Sequence, residues 1–266
     1  MERAAVLGAG TMGHGITHVC ARAGVATVLY DVDLSAVDTG FRSIREALDA
    51  EVSAGELSPT ERDNVIARLQ RSSDLALAVQ GAQLIIEAAP ESIDVKRNLF
   101  RLLEQRVGED TVFATSTASL SISELSKGMD HPGRFLGIHF SNPVHEIELV
   151  EVVWGEQTSE VTRESVVEFV EKIGKHPILV RDSPGFASSR LGVLVCVEAS
   201  RDDIDHAMVL GHGHPIGPLR LADTIGLDVQ MEAASRLHEA LGSEAFRPPE
   251  LLERMVVEGK LGNTDM

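Results

Sequence analysis

Residues 6–31, VLGAGTMGHGITHVCARAGVATVLYD, decide the fold. Val6 and Leu7 close an apolar run. Gly8, Gly10 and Gly13 then stand in G-x-G-x-x-G spacing, and an amphipathic segment follows. A second apolar run, Ala26 to Tyr30, ends on Asp31. The order is strand, tight turn, helix, strand, acid. Each glycine has a physical task in it. Gly8 permits the turn, Gly10 lets a pyrophosphate approach the backbone, and Gly13 lets the helix pack against the strand. The helix N-terminus presents N–H groups and a partial positive charge to phosphate. The cofactor-binding candidates are therefore Gly8, Ala9, Gly10, Thr11, Met12, Gly13 and Asp31. A carboxylate at position 31 can accept both ribose hydroxyls and repels a 2′-phosphate, which favours NAD over NADP.

Outward from this stretch, strand and helix patterns alternate. Leu34 to Glu56 reads as a helix, and so does Ser58 to Arg71, where Ser58 and Pro59 form an N-cap followed by a first-turn proline. Leu84 to Glu87 reads as a buried strand. Glu91 to Val107 has helical spacing, with Ile93, Leu99, Phe100, Leu102 and Leu103 on one broad face. Strands follow at Thr111–Thr115, Phe135–His139, Leu149–Val153 and Pro177–Val180, with a helix over Ser159–Ile173. This is an α/β pattern, a Rossmann-type doubly wound sheet. Pro184-Gly185 breaks it, and nothing beyond reads as a strand. The expected domains are residues 1–183, binding NAD, and 184–266, a small all-helical domain for substrate and dimerisation.

The 266 residues suit one large and one small domain. Hydrophobic residues make up 43%, enough for a substantial core. The balance of 24 basic against 41 acidic residues gives a net charge of −17, which argues against nucleic acid and anionic membranes as partners. Apolar runs are too short to span a bilayer. The two cysteines, Cys20 and Cys196, lie in apolar contexts and read as reduced thiols, so the expected location is the cytoplasm. His212 and His214 lack a nearby third ligand, and no metal is expected.

Several segments together resemble the NAD-dependent L-3-hydroxyacyl-CoA dehydrogenases, notably the 3-hydroxybutyryl-CoA type. They are the glycine turn, Glu87-Ala88-Ala89-Pro90-Glu91, Gly137 to Val144 (GIHFSNPV), Leu149 to Val153 (LVEVV) and Gly174-Lys175-His176-Pro177. Asp182 to Phe186 (DSPGF), Asp203-Ile204-Asp205 and Gly213 to Pro218 (GHPIGP) continue the likeness in order. The resemblance implies hydride transfer between NAD and the 3-hydroxyl carbon of an acyl-CoA. Such chemistry needs a base for the hydroxyl proton. His139 ends an apolar strand, where an open α/β sheet holds its ligands. Glu151 lies in a strand so apolar that its carboxylate needs a partner. The expected pair is His139 as base with Glu151 orienting it. The resemblance also implies Asn142 near substrate and nicotinamide, and Glu91 and Lys96 on the nicotinamide half of the cofactor.

The departures bear on substrate and rate. Ala118 occupies the position of the family's catalytic serine, within Ser116-Thr117-Ala118-Ser119, and Ser119 is the expected substitute. Ser116, Ser189 and Arg42 are candidate substrate contacts, Arg42 for the CoA phosphates. Between Ala199 and Asp203 the chain is shorter than the family pattern, so the helical domain is expected to be shortened. The expected assembly is a homodimer through that domain. Alternatives at this stage are the same chemistry on an acyl carrier protein or a non-thioester hydroxy acid such as carnitine. Another is a weakly catalytic NAD-binding structural protein like the lambda-crystallins.

Overall fold

A computed structural model describes residues 1–186, 205, 209 and 214–262. The chain divides into two compact units, Met1–Asp182 and Ser183–Met266. The first alternates β1 (Arg3–Leu7), α1 (Thr11–Arg22), β2 (Ala26–Tyr30), α2 (Leu34–Ala54), α3 (Pro59–Ala67), β3 (Leu69–Ser72), α4 (Leu75–Val79) and β4 (Leu84–Glu87). It continues through α5 (Ile93–Glu104), β5 (Val112–Thr115), α6 (Ile122–Leu125), β6 (Phe135–Phe140), β7 (Leu149–Trp154), α7 (Glu160–Lys172) and β8 (His176–Arg181).

The eight strands form one sheet in the order β3-β2-β1-β4-β5-β6-β7-β8. All neighbours are parallel except β6 and β7. From β1 the chain builds one half outward through β2 and β3, then returns to lay β4 on the other side. The C-terminal ends of β1 and β4 therefore flank a topological switch point, where such sheets hold ligands.

Strand alternation sorts residues between the two faces. Val6, Ile86, Ala114, Ile138 and Val152 pack with Ile16 and Cys20 of α1 and with Phe169 and Val170 of α7. The opposite face carries the partners of α5. Phe100 meets Phe113 and Phe135 edge-on, at 6.0 and 4.7 Å between ring centres. By the same alternation Glu87, Thr115, His139 and Glu151 belong to this second face.

Two expectations need correction. The helix that starts at Pro59 carries the expected cap, with Ser58 and Glu61 bonding each other's backbone N–H groups. It ends at Ala67 rather than Arg71, because Leu69–Ser72 pairs with β2 as an edge strand. On α5 the buried residues are Lys96, Phe100 and Leu103, an i, i+4, i+7 stripe, while Leu102 is 38% exposed. The ammonium of Lys96 finds buried acceptors, so a lysine joins the buried stripe and Leu102 does not.

In the second unit the described residues hold the helices Pro218–Ile225, Leu227–Leu241 and Glu250–Val257. The first is capped by a residue remote in sequence. Asp205 accepts from the N–H groups of Leu219 and Arg220 at 2.8 and 3.0 Å. Gly217 leaves room for it, since a Cβ there would lie 2.2 Å from the Asp205 Cβ. Loss of such a cap costs about 1–2 kcal/mol. Asp205→Ala is expected to lower stability by that amount in chemical denaturation. An unchanged midpoint would show that the cap carries no stability.

Candidate active site

The glycine turn occupies the switch point. Gly8 donates to the Tyr30 carbonyl and Ala88 to the Leu7 carbonyl, both at 2.7 Å, so the ends of β1, β2 and β4 are tied together. Gly8 has φ +112°, and a Cβ on it would stand 2.4 Å from the Ala88 oxygen. A Cβ on Gly13 would stand 1.7 Å from the Gly8 oxygen, so only glycine lets α1 approach the turn. A Cβ on Gly10 would meet nothing within 4 Å. This open space fronts the start of α1, which has no side-chain cap. Uncapped N–H groups beside open space fit a pyrophosphate. Thr11 is exposed and Met12 half-buried beside it. Ala9 donates its N–H to Asp31 Oδ2 at 2.9 Å, and Asp33 donates to Oδ1 at 3.2 Å. Asp31 thus joins the end of β2 to the turn.

Three strands away, the reversal between β6 and β7 sets His139 directly opposite Glu151. His139 Nδ1 lies 2.7 Å from Glu151 Oε2. The histidine side chain is 14% exposed and the glutamate 1%. An ionised carboxylate only accepts, so Nδ1 carries the hydrogen in this pair and Nε2 is the nitrogen with basic character. Asn142 follows on the loop after β6 and is half-buried. That loop is anchored from the residue just before β8: the buried Lys175 donates to the carbonyls of His145 and Ile147 at 3.2 and 2.9 Å. Burial pushes the Lys175 ammonium down, opposed by Glu148.

Between the turn and His139 lies a network that spacing alone did not reveal. Lys96 and Glu87 are both fully buried and 2.7 Å apart. Lys96 also faces Glu91 Oε2 at 3.4 Å and donates to the Ser116 carbonyl at 3.0 Å. Glu87 accepts from Ala89 N–H and Thr115 Oγ1, each at 2.6 Å. Burial pushes the Glu87 carboxyl up, against the lowering effect of Lys96. Glu91 in turn accepts from the Thr117 hydroxyl, from Ala118 N–H at 3.3 Å and from the Ser119 hydroxyl at 3.4 Å. The expected residues Glu91, Lys96, Ser116 and Ser119 are thus brought together. Lys96 lies beneath the others, so it acts on its surroundings through Glu91 and the Ser116 carbonyl. Arg42 stands on the exposed side of α2, and Ser189 lies outside the described residues. Glu87 was legible only as the acid ending an apolar strand. Its three partners lie 2, 9 and 28 residues away. Among the described residues no group of three or more His, Cys, Asp or Glu could hold a metal. No helix among them is long and apolar enough to cross a membrane.

Comparisons with known proteins agree with this layout. Residues 3–183 match the family model "3-hydroxyacyl-CoA dehydrogenase, NAD binding domain", and residues 185–265 match "3-hydroxyacyl-CoA dehydrogenase, C-terminal domain". The chain is 38% identical to a probable 3-hydroxybutyryl-CoA dehydrogenase of Bacillus subtilis, covering 97% of this chain and 92% of that protein. It is also 38% identical to the 3-hydroxybutyryl-CoA dehydrogenase of Bradyrhizobium diazoefficiens, over 98% and 92% of the two chains. Among solved structures, FadB2 of M. tuberculosis superposes with a TM-score of 0.93 at 36% identity, covering 98% and 95%. The (S)-3-hydroxybutyryl-CoA dehydrogenase PaaH1 of Ralstonia eutropha gives 0.89 at 36%, with the same coverage.

The two inner glycines make opposite predictions. Gly10→Ala is expected to fold with unchanged melting temperature and to bind NAD at least tenfold more weakly, because its methyl takes the open space. Gly13→Ala is expected to lower the melting temperature, because its methyl collides with backbone. Calorimetric titration with NAD beside a thermal melt separates the two, and full affinity in Gly10→Ala would remove the phosphate role from the turn.

Proposed function

The chain belongs to the 3-hydroxyacyl-CoA dehydrogenase family, and from that premise we propose that it oxidises a short-chain L-3-hydroxyacyl-CoA of the 3-hydroxybutyryl kind, with His139 as base. The observation that carries this reading is the 2.7 Å pairing of His139 with Glu151 on the face of the sheet that also holds the Glu87 network. NAD, when bound, accepts the hydride from C3 of the substrate.

As the hydride departs, the 3-hydroxyl proton becomes acidic and must be taken up. His139 receives it at Nε2, and in the reverse direction returns it to the oxygen of the 3-keto group. Glu151 keeps Nδ1 protonated and aims the ring. It also stabilises the imidazolium that forms, in the way a carboxylate partner does in other histidine-based sites. The pair is buried enough that water does not compete for the carboxylate. Asn142 supplies a side-chain amide close to the histidine along the chain and supports the developing charge on oxygen. At Ala118 the hydroxyl expected from family resemblance is absent, and losing one such donor costs roughly 2–4 kcal/mol of transition-state stabilisation. Ser119 is a poor substitute because its hydroxyl already faces Glu91. Turnover is therefore slow relative to a chain with serine at 118. Arg42 and Ser116 remain the proposed contacts for CoA and substrate, together with Ser189.

The helical unit is proposed to pair with a second copy. Its helix Glu250–Val257 buries no residue, and Leu251 and Val257 are 56% and 86% exposed. Cytoplasmic residence follows from the same reading, with Cys20 a buried thiol whose pKa is pushed up to about 12 by burial.

Oxidation of NADH by acetoacetyl-CoA tests the activity. His139→Gln is expected to lower kcat by roughly 10²–10⁴-fold while leaving NAD affinity unchanged, and Ala118→Ser is expected to raise kcat by roughly tenfold or more. Absence of turnover in the parent protein would refute the activity, and equal rates in parent and His139→Gln would refute the base. Sedimentation equilibrium is expected to give twice the mass of the chain, and a monomer would remove the pairing of the helical unit.

A further inference from the structure

Glu87 and Lys96 are an expensive way to fill a core. Burying two charges costs several kcal/mol per ion before their attraction is counted, and an apolar pair of similar volume serves stability as well or better. Their position points to another use. Glu87 is the last residue of β4, and register carries it sideways to Thr115 of β5 and from there to Gly137 of β6, two residues before His139. Glu87 and His139 therefore share one sheet face, two strand spacings or about 10 Å apart across the sheet. On the other side Ala88 bonds to the Leu7 carbonyl at the glycine turn. A cofactor held at that turn, with its reactive end toward His139, would have this corner of the sheet between its two ends.

We propose that Glu87, held in place by Lys96, is an electrostatic specificity element for the oxidation state of the cofactor, favouring the cationic nicotinamide ring of NAD⁺ over the neutral ring of NADH. The two rings have nearly the same shape, so contacts alone discriminate poorly between them. They differ by one unit of charge, and a fixed carboxylate in a partly buried site acts on that difference alone. Lys96 makes the carboxylate tolerable in this setting, and the N–H of Ala89 and the hydroxyl of Thr115 complete its hydrogen bonding. The charged groups facing Glu87 among the described residues are Lys96 from α5 and Glu91 from the loop after β4, reached through the lysine. The inference rests on the NAD site described above and goes beyond it, since binding of NAD does not require a preference between its two forms.

Glu87→Gln removes the charge and keeps the shape. The amide oxygen can still accept from Lys96 and Ala89, and the amide nitrogen can donate to Thr115 Oγ1. Dissociation constants for NAD⁺ and NADH are measured separately by calorimetric titration, with no substrate present. The expected result is a rise of roughly tenfold in Kd(NAD⁺)/Kd(NADH) relative to the parent, the size of effect a unit charge has in such a site. Weakening of both forms by the same factor would assign Glu87 a structural role only and overturn the proposal. If the buried change prevents folding, Glu91→Gln carries the test, since that side chain is 30% exposed and belongs to the same network. The ratio is expected to move in the same direction, and a ratio within twofold of the parent overturns the proposal. Failure of the parent protein to bind either form would instead count against the NAD site itself.

Discussion

The hydrogen bond between His139 and Glu151 depends on a single reversal of strand direction. Every other neighbouring pair in the sheet is parallel, and only the step from β6 to β7 is antiparallel. In an antiparallel pair residues face each other directly, so a base and its orienting carboxylate can come from adjacent strands with a short connection. Side chains alternate, so a slip of one residue in register would send Glu151 to the opposite face. Val150 and Val152 resist that slip, because they fill the core against α1 and α7. Apolar packing on one face thus holds the register of the His139–Glu151 pair on the other.

The same alternation organises the rest of the site. Ile86, Ala114 and Ile138 face the α1 and α7 side, which leaves Glu87, Thr115 and His139 on the α5 side. Polar groups at the strand ends on this face are held by one another. Glu87 fixes Lys96. Lys96 fixes the Ser116 carbonyl and faces Glu91, and Glu91 gathers the loop from Thr117 to Ser119. The loops after β4 and β5 are thereby joined beside the switch point, while Lys175 anchors the loop after β6. Rigid strands and a satisfied polar network give the preorganisation that hydride transfer needs.

Local signals made the fold legible where one short stretch held the whole message. The glycine turn is such a stretch, because its steric demands act within a few residues of each other. The Ser58-Pro59 cap is another. β3 was not legible, since its sequence LQRS lacks alternation of apolar residues and its strand character comes from pairing with β2. The burial of Lys96 was not legible either: its acceptors come from β4 and the loops after β4 and β5, which only the folded sheet brings around it. At the site, His139 and Glu151 stood out because each sat among apolar neighbours, and family resemblance supplied the pairing. The Glu87 network is a tertiary object whose members gain meaning only when β4, α5 and β5 are side by side.

Isotope transfer tests the central claim most directly. NADH carrying deuterium in both positions at C4 of the nicotinamide ring is incubated with acetoacetyl-CoA and the protein in ordinary water, and the product is examined by mass spectrometry. Direct transfer from cofactor to C3, with His139 supplying only the proton on oxygen, predicts 3-hydroxybutyryl-CoA with one deuterium, located at C3. Product without deuterium would contradict the account, because the hydrogen at C3 would then have come from solvent.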